Sequence, residues 1–247
     1  MTIKQWLNQY LPDLSEKTII VTGANSGIGY EAARLLAYKG AHIVLTSRNI
    51  ERGKQAVSNI RSELPDASIK VEQLDLAELD SIAAFSKQML RSYDTIDVLI
   101  NNAGVMALPY QKTRHGFEMQ FGTNHLGHFA LTGHLMPRLL KNPQARIVTV
   151  SSSAHQIGKI SFDNLHWDIG YKRWKAYGQS KVANLFFTYE LQRKLDAAGS
   201  SAIAVAVHPG WAATNLQTAA PIMENSRFKI RLYSWLNNHF AQSAEMG

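Results

Sequence analysis

The chain has 247 residues and no cysteine, and this absence excludes several kinds of chemistry. Disulfide bonds, thiolate nucleophiles and cysteine-based zinc sites all require a thiol. The N-terminus has no apolar signal-peptide region, and no apolar run approaches the roughly 20 residues that a membrane span requires. We therefore expect a soluble protein of the cytoplasm, although the absence of cysteine does not itself fix the compartment.

Linkers, internal repeats and dense charge clusters are also absent from the sequence. Residues 1–247 are therefore predicted to form a single domain. The formal net charge is +7, but the basic residues are scattered, which favours a solvated basic surface over a nucleic-acid partner. The histidines show no His-Glu-x-x-His or comparable spacing, so no metal site is predicted.

Strands and helices are predicted to alternate along the chain. β-Branched runs predict strands at residues 18–22, 41–46, 69–74, 98–100, 146–150 and 202–207. Helical spacing of apolar residues predicts helices at residues 2–11, 30–38, 50–63, 79–91 and 117–140, and a further helix that ends near residue 195. This order is typical of an α/β fold with a parallel sheet, which binds its ligand at the carboxyl ends of the strands.

A glycine-rich turn follows the first predicted strand. Gly23, Gly27 and Gly29 are spaced Gly-x-x-x-Gly-x-Gly and lead directly into a helical pattern. A strand, a glycine-rich turn and a helix in this order let the backbone approach a phosphate, which the N–H groups at the start of the helix can bind. An ordinary turn is the alternative interpretation, but the flanking strand and helix favour the phosphate site.

Two charged residues follow the next strand ends. Arg48 comes after the second strand, where an NAD site usually offers a carboxylate to the ribose and an NADP site offers an arginine to the 2′-phosphate. We therefore favour NADP over a plain surface role for Arg48. Asp75 follows the third strand and is either a ligand contact or a cap of the next helix.

Tyr177 and Lys181 are four residues apart in a predicted helix, which places both side chains on one face. We expect the ammonium group to lower the pKa of the tyrosine toward neutral pH. In the helix predicted at 117–140, Asn124 lies among apolar neighbours and either makes a structural hydrogen bond or holds a catalytic water. Three serines, residues 151–153, follow the fifth strand.

Taken together, these motifs resemble the short-chain dehydrogenases/reductases over about residues 17–215. Those that carry the resemblance are Thr22 with residues 23–29, Asn101-Asn102-Ala103-Gly104, Asn124, Ser152, Tyr177-x-x-x-Lys181 and Pro209-Gly210. Details around residues 46–49, 123–129 and 153–155 look like the retinol-dehydrogenase-like branch, which includes WW-domain oxidoreductase relatives. The resemblance implies a Rossmann-like doubly wound sheet with strand order 3-2-1-4-5-6.

The resemblance also implies an NADP-dependent oxidoreductase that interconverts a carbonyl and an alcohol. Tyr177 would be the general acid/base, and Lys181 would lower its pKa and hold the ribose hydroxyls. Ser152 would hydrogen-bond the substrate oxygen, and Asn124 would hold a water that carries the proton to solvent. Ser151 and Ser153 are expected to project elsewhere, because neighbours along a strand alternate faces.

Cofactor contacts follow from the same resemblance. NADP(H) would be bound by Gly23, Ser26, Gly27, Ile28, Gly29, Arg48, Asp75, Leu76, Asn101, Ala103, Gly104, Tyr177, Lys181, Pro209, Gly210 and Thr214. Asp75 would contact the adenine ring and Asn101 the adenosine side, while Thr214 would contact the carboxamide or the pyrophosphate.

Apolar and aromatic residues concentrate in two segments, the insert between Ser152 and Tyr177 and residues 211–247. They predict a pocket for a bulky apolar substrate such as a retinoid, steroid, lipid aldehyde or xenobiotic ketone. The alternative is that several of them simply pack in the core. Residues 227–235 alternate basic and apolar side chains, which favours a substrate lid over an interfacial membrane helix. A homo-oligomer is compatible with this interpretation.

The family's sheet normally has a seventh strand, and we expect it to be missing because few residues follow Phe240. A missing strand would uncover a sheet edge, so a cofactor-binding regulator or scaffold without turnover is the alternative function. The intact set of Asn124, Ser152, Tyr177 and Lys181 favours the enzyme. A sugar-nucleotide epimerase is disfavoured by the glycine spacing and by the chain length.

Overall fold

Six parallel strands form the centre of the computed structural model, which describes residues 3–210, 223–224 and 243–244. The strands are β1 (Thr18–Val21), β2 (His42–Ser47), β3 (Ile69–Gln73), β4 (Val98–Asn101), β5 (Arg146–Val150) and β6 (Ile203–Val207). Their order across the sheet is β3-β2-β1-β4-β5-β6. This order and the doubly wound parallel fold are confirmed, while the expectation about a seventh strand falls outside the described residues.

Helices connect the strands and cover both faces of the sheet. They are α1 (Ile3–Tyr10), α2 (Gly27–Tyr38), α3 (Ile50–Glu63), α4 (Leu79–Ser92), α5 (Met119–Phe121), α6 (Gly127–Leu139) and α7 (Arg173–Ala197). Two 3₁₀ turns, Ser153–Ile157 and Phe162–Asn164, lie between β5 and α7. The predicted boundaries agree with these elements to within a few residues.

Each face of the sheet has its own hydrophobic core. On one face, Ile20 and Leu99 pack with side chains of α4 and α6, including Ile82 and Leu135. On the other face, strand residues pack with side chains of α2 and α3. Because both faces are covered at the centre of the sheet, β1 and β2 are buried runs rather than alternating ones, which is why short β-branched runs predicted them. The edge strand β6 alternates, and its exposed apolar residues in the described part of the structure are Ile203, Val205 and Val207.

The long helix predicted at residues 117–140 is interrupted. A π-helical turn, Gly122–Leu126, separates α5 from α6 and contains Asn124. A π-helical turn inserts one extra residue and often occurs at functional sites. Pro137 lies inside α6, which continues through it to Leu139. The sequence pattern predicted the segment but not its break.

The predicted N-terminal helix is present as α1, but only part of its apolar side is buried. Leu7 of α1 is buried, whereas Trp6 and Tyr10 are 45% and 57% exposed and contact each other. Within the described part of the chain, no helix combines the length and the apolar character needed to cross a membrane.

Candidate active site

The glycine-rich turn between β1 and α2 packs closely against the segment after β4. Gly23 has a φ of +62°, and a Cβ there would lie 2.8 Å from Cβ of Ala103. A Cβ on Gly29 would collide with Nδ2 of Asn102. Side chains at these positions would therefore fill the space that a phosphate needs to reach the backbone.

The N-terminus of α2 faces the same space. Ser26 is the N-cap residue, but its side chain makes no capping hydrogen bond, and residues 26–29 line a cleft of about 740 Å³. The first N–H groups of a helix lack intrahelical partners and carry partial positive charge. The turn therefore has the backbone, the space and the charge to bind a phosphate anion.

Two arginines that follow β2 line the cleft. Arg48 was predicted there, and Arg52 lies one helical turn further along and lines the same cleft. Asn49 fixes their relation, because its side chain caps α3 by accepting a hydrogen bond from the Arg52 N–H at 3.0 Å. Arg52 was missed, because its place at the cleft depends on how α3 docks on the sheet.

Asp75 does not cap the next helix. Its Oδ1 accepts a hydrogen bond from Ala77 N–H at 2.9 Å, whereas the N-cap residue of α4 is Glu78. The carboxylate therefore shapes the turn after β3, and both Asp75 and Leu76 line the cleft.

Some residues of the segment after β4 line the cleft, and others hold the segment in place. Ala103 and Gly104 line the cleft. Asn101 does not: it is buried, and its Nδ2 donates to Thr132 Oγ1 at 3.0 Å. Asn102 lines the cleft, but its Nδ2 donates back to Thr22 O at 2.8 Å. Asn101 and Asn102 thus brace the segment that carries the lining residues.

Ser152, Tyr177 and Lys181 converge at the same cleft. The side chain of Ser152 lies near enough to the Tyr177 hydroxyl to lower the pKa of the phenol. The Lys181 ammonium group donates to Val150 O at 3.0 Å and lies 5.7 Å from the centre of the Tyr177 ring. The end of β5 and one face of α7 therefore bring a hydroxyl, a phenol and an amine together.

The electrostatics of this group differ from the sequence-based expectation. Burial raises the pKa of Tyr177, and the side chain of Ser152 opposes the rise only in part. Burial also lowers the pKa of Lys181 to about 8. The pKa of Tyr177 is therefore raised in this structure rather than lowered as expected, because desolvation of the phenol is the largest effect.

The serine run leaves the strand before alternation applies. β5 ends at Val150, and the chain turns into the 3₁₀ helix Ser153–Ile157, so all three serines line the cleft. Ser151 Oγ donates to Lys181 O at 2.9 Å. Strand alternation therefore does not separate the three serines; Ser152 is the one whose side chain lowers the pKa of Tyr177, and its catalytic role stays a prediction.

Every polar atom of the Asn124 side chain has a protein partner. Oδ1 accepts from Val105 N–H at 2.8 Å, and Nδ2 donates to Val105 O and to Ser180 Oγ, both at 2.9 Å. Ser180 Oγ in turn donates to Tyr177 O at 2.7 Å. Asn124 is not part of the cleft lining and instead connects the segment after β4 to α7.

Most of the predicted site residues share the cleft. Those that line it are Gly23, Ser26, Gly27, Ile28, Gly29, Arg48, Asp75, Leu76, Ala103, Gly104, Ser152, Tyr177, Lys181, Pro209 and Gly210. Thr214 and the predicted lid at 211–247 fall almost wholly outside the described residues. In the described ranges, no three His, Asp or Glu side chains are arranged to hold a metal ion.

Known proteins with similar sequences share this arrangement of motifs. The profile of the short chain dehydrogenase family matches residues 17–225. Retinol dehydrogenase 12 of Mus musculus is 47% identical over 194 residues, which cover 78% of this chain and 61% of that protein. Retinol dehydrogenase 11 of Homo sapiens is 42% identical over 234 residues, which cover 95% of this chain and 71% of that protein. The chain thus spans less than two thirds of the first relative's length.

A solved structure is similar to this chain in both sequence and fold. An uncharacterised protein from Mycobacterium paratuberculosis is 45% identical to this chain, with a TM-score of 0.75 over 91% of this chain and 79% of its own. Sequence profile, relatives and fold agree with the motif series described above. The chain belongs to the short-chain dehydrogenase family of oxidoreductases, in its retinol-dehydrogenase-like branch.

Proposed function

We propose that this protein is an NADP-dependent oxidoreductase that interconverts a carbonyl and an alcohol on a bulky apolar substrate. The observation that carries the proposal is the convergence of the Ser152 hydroxyl, the Tyr177 phenol and the buried Lys181 amine at one cleft. A hydroxyl donor and a phenol at one point can bind a single substrate oxygen. NADP(H), when bound, supplies or accepts the hydride.

Tyr177 would act as the acid/base of the reaction. Because its pKa is raised by burial, the phenol is protonated at neutral pH and can donate a proton to a carbonyl oxygen. Ser152 would hold that oxygen and stabilise the charge that develops on it. Lys181 would favour loss of the phenol proton in the opposite direction whenever its amine is charged.

Arg48 and Arg52 support the choice of NADP over NAD. Both arginines line the cleft. The residues that follow β2, Ser47-Arg48-Asn49, include no carboxylate that could bind the ribose hydroxyls of NAD. Guanidinium groups form charge-assisted hydrogen bonds with phosphate oxygens. Asp75, at the neighbouring strand end, would contact the adenine ring.

The substrate class is inferred from apolar side chains of the cleft. Met106, Ile157 and Trp174 are part of its lining, and the Trp174 ring stands edge-on to the Tyr177 ring at 6.2 Å between centres. An apolar wall beside the reacting oxygen suits a bulky hydrocarbon group. The similar proteins named retinol dehydrogenases support a retinoid or a related apolar carbonyl.

Turnover is tested with purified protein by following NADPH absorbance against a panel of aldehydes, ketones and retinoids. Tyr177→Phe should lower kcat by at least about 100-fold, the usual contribution of a general acid, with little change in NADPH affinity. Tyr189→Phe is the matched control, since Tyr189 lies on the same helix and is 66% exposed. Tight NADPH binding without turnover of any carbonyl would instead support the regulator or scaffold.

Cofactor preference is tested separately with Arg48→Ala. Loss of charge-assisted hydrogen bonds should lower kcat/KM for NADPH by about 10- to 100-fold and leave the value for NADH nearly unchanged. Lys54→Ala removes a cation from α3, the helix that follows Arg48, at a position outside the cleft lining, and it should alter neither value. An equal loss with both cofactors in Arg48→Ala would contradict the phosphate contact.

A cytoplasmic location and assembly into a homo-oligomer belong to the same proposal. Cell fractionation tests the first and light scattering of the purified protein tests the second. Flotation with anionic liposomes at low salt would reveal membrane binding, which the proposal does not favour.

A further inference from the structure

A buried histidine joins the two halves of the cleft. His128 lies on α6 with an exposed fraction of 1%. Its Nε2 is 2.9 Å from Thr22 Oγ1, and its Nδ1 is 2.9 Å from Asn124 O. The imidazole therefore spans from the strand that precedes the glycine-rich turn to the π-helical turn that carries Asn124.

The hydrogen-bond partners fix which nitrogen carries the proton. Asn124 O can only accept, so Nδ1 must be the donor. Thr22 Oγ1 accepts N–H groups from Asn102 at 2.8 Å and Ala103 at 2.9 Å, which use both of its lone pairs. Its own proton has two acceptors in reach, Nε2 at 2.9 Å and Ile100 O at 3.3 Å, and the shorter contact places it on the line to Nε2. His128 is thus neutral, in keeping with burial lowering its pKa to about 4.

Each nitrogen is linked to a different part of the site. Through Thr22, Nε2 holds the segment of Asn102 and Ala103, which lines the cleft beside the glycine-rich turn. Through the Asn124 carbonyl, Nδ1 holds the π-helical turn. The side chain of Asn124 donates to Ser180 Oγ, and Ser180 Oγ donates to the Tyr177 carbonyl. One side of the ring thus supports the cofactor region and the other supports the acid/base helix.

We infer that His128 is a positioning residue that sets the cofactor wall and the helix of Tyr177 in register through its two ring nitrogens. This inference rests on the proposed function and deepens it. His128 lies outside the cleft lining, so it acts through the residues that it holds. The two connections predict separable effects: the Nε2 side should govern NADPH affinity, and the Nδ1 side should govern turnover.

Two substitutions separate the ring nitrogens. In His128→Asn the amide nitrogen lies where Nδ1 lies, so the bond to Asn124 is kept and the bond to Thr22 is lost. In His128→Gln the amide oxygen reaches the position of Nε2, so the bond to Thr22 is kept and the bond to Asn124 is lost. His134→Gln is the matched control, because His134 is an exposed residue of the same helix.

The experiment measures NADPH dissociation constants by fluorescence, kcat at saturating NADPH, and the melting temperature of each variant. We expect His128→Asn to weaken NADPH binding about tenfold with kcat within about threefold of the unaltered chain, and His128→Gln to show the reverse. The control should match the unaltered chain in both values. A residue that serves stability alone would shift both variants in the same way.

Three results would overturn the inference. They are equal profiles for the two variants, values for both that match the unaltered chain, and failure of both to fold, which would make His128 a residue of core stability only. Each of these leaves the proposed function standing if the unaltered chain turns over. Absence of turnover in the unaltered chain would overturn the proposed function and this inference with it.

Discussion

Replacing Lys181 with methionine should stabilise the protein while abolishing turnover. The amine is buried, and among the described residues it donates to a backbone carbonyl, Val150 O, rather than to a carboxylate. A charged group in such a position carries a desolvation cost that an apolar side chain of similar length avoids. Lys181→Met removes that cost together with the group expected to act on Tyr177.

The magnitude follows from the pKa of Lys181, which burial lowers from 10.5 to about 8. At 1.36 kcal/mol per pKa unit, holding the charged form in the folded state costs about 3 kcal/mol. Loss of the hydrogen bond to Val150 O costs about 1 kcal/mol and offsets part of this gain. Val150 O keeps a second donor, Asn184 Nδ2, at 3.3 Å. A net gain of about 2 kcal/mol corresponds to a melting temperature about 4–8 °C higher.

The sign of the pH dependence provides a second check. The pKa of Lys181 is lower in the folded state than in the unfolded state, so below about pH 8 the native chain carries the full cost. Between about pH 8 and 10.5 the folded state releases its proton first, and its stability rises relative to the variant. The advantage of Lys181→Met should therefore be largest at pH 7 and shrink toward pH 10.

Thermal unfolding without added cofactor, at pH 7 and pH 10, measures both quantities. Lys175→Met is the control, since Lys175 is an exposed lysine of the same helix, and it should change the melting temperature by little. A melting temperature for Lys181→Met that is unchanged or lower at pH 7 would refute the reasoning, and so would an advantage that does not shrink with pH.

Two further substitutions probe the cleft wall and the opposite end of the sheet. Gly29→Ala should weaken NADPH binding and cost about 1–3 kcal/mol in urea unfolding, because the added Cβ collides with Asn102; Gly133→Ala, with open space in mid-helix, should gain about 0.5–1 kcal/mol. Asp97→Ala should cost about 2–4 kcal/mol, since the buried carboxylate accepts bonds from Lys17, Thr18 and Asn142. The exposed Asp94→Ala should change stability by less than about 0.5 kcal/mol, and equal losses for the two aspartates would contradict this view.

Local patterns were sufficient to predict the elements and the principal motifs. The strand order is confirmed, and the boundaries of α3 and β5 agree with the predicted residues 50–63 and 146–150. Burial on both faces requires apolar strands, and the glycine-rich turn requires glycine at fixed spacings. Such requirements fall on neighbouring residues, so they are visible in the sequence itself.

The π-helical turn was not predictable from spacing. Gly122–Leu126 lies within a continuous helical pattern, and its Asn124 bonds Val105, which belongs to a distant segment of the chain. The pairing of Arg52 with the cleft likewise depends on how α3 docks on the sheet. Contacts between residues far apart in sequence decide both features, and a local pattern does not record them.

The sequence by itself determined the succession of strands and helices, the glycine spacing after β1 and the spacing of Tyr177 and Lys181, because each depends on residue types at short, fixed intervals. The resemblance to a known family added the strand order and the choice of Ser152 among three serines. Only the tertiary structure decided that burial raises the pKa of Tyr177 and lowers that of Lys181, and that His128 bridges Thr22 and Asn124. The physical reason is that desolvation depends on all the atoms packed around a group, and that a hydrogen bond across the fold exists only once distant elements have met.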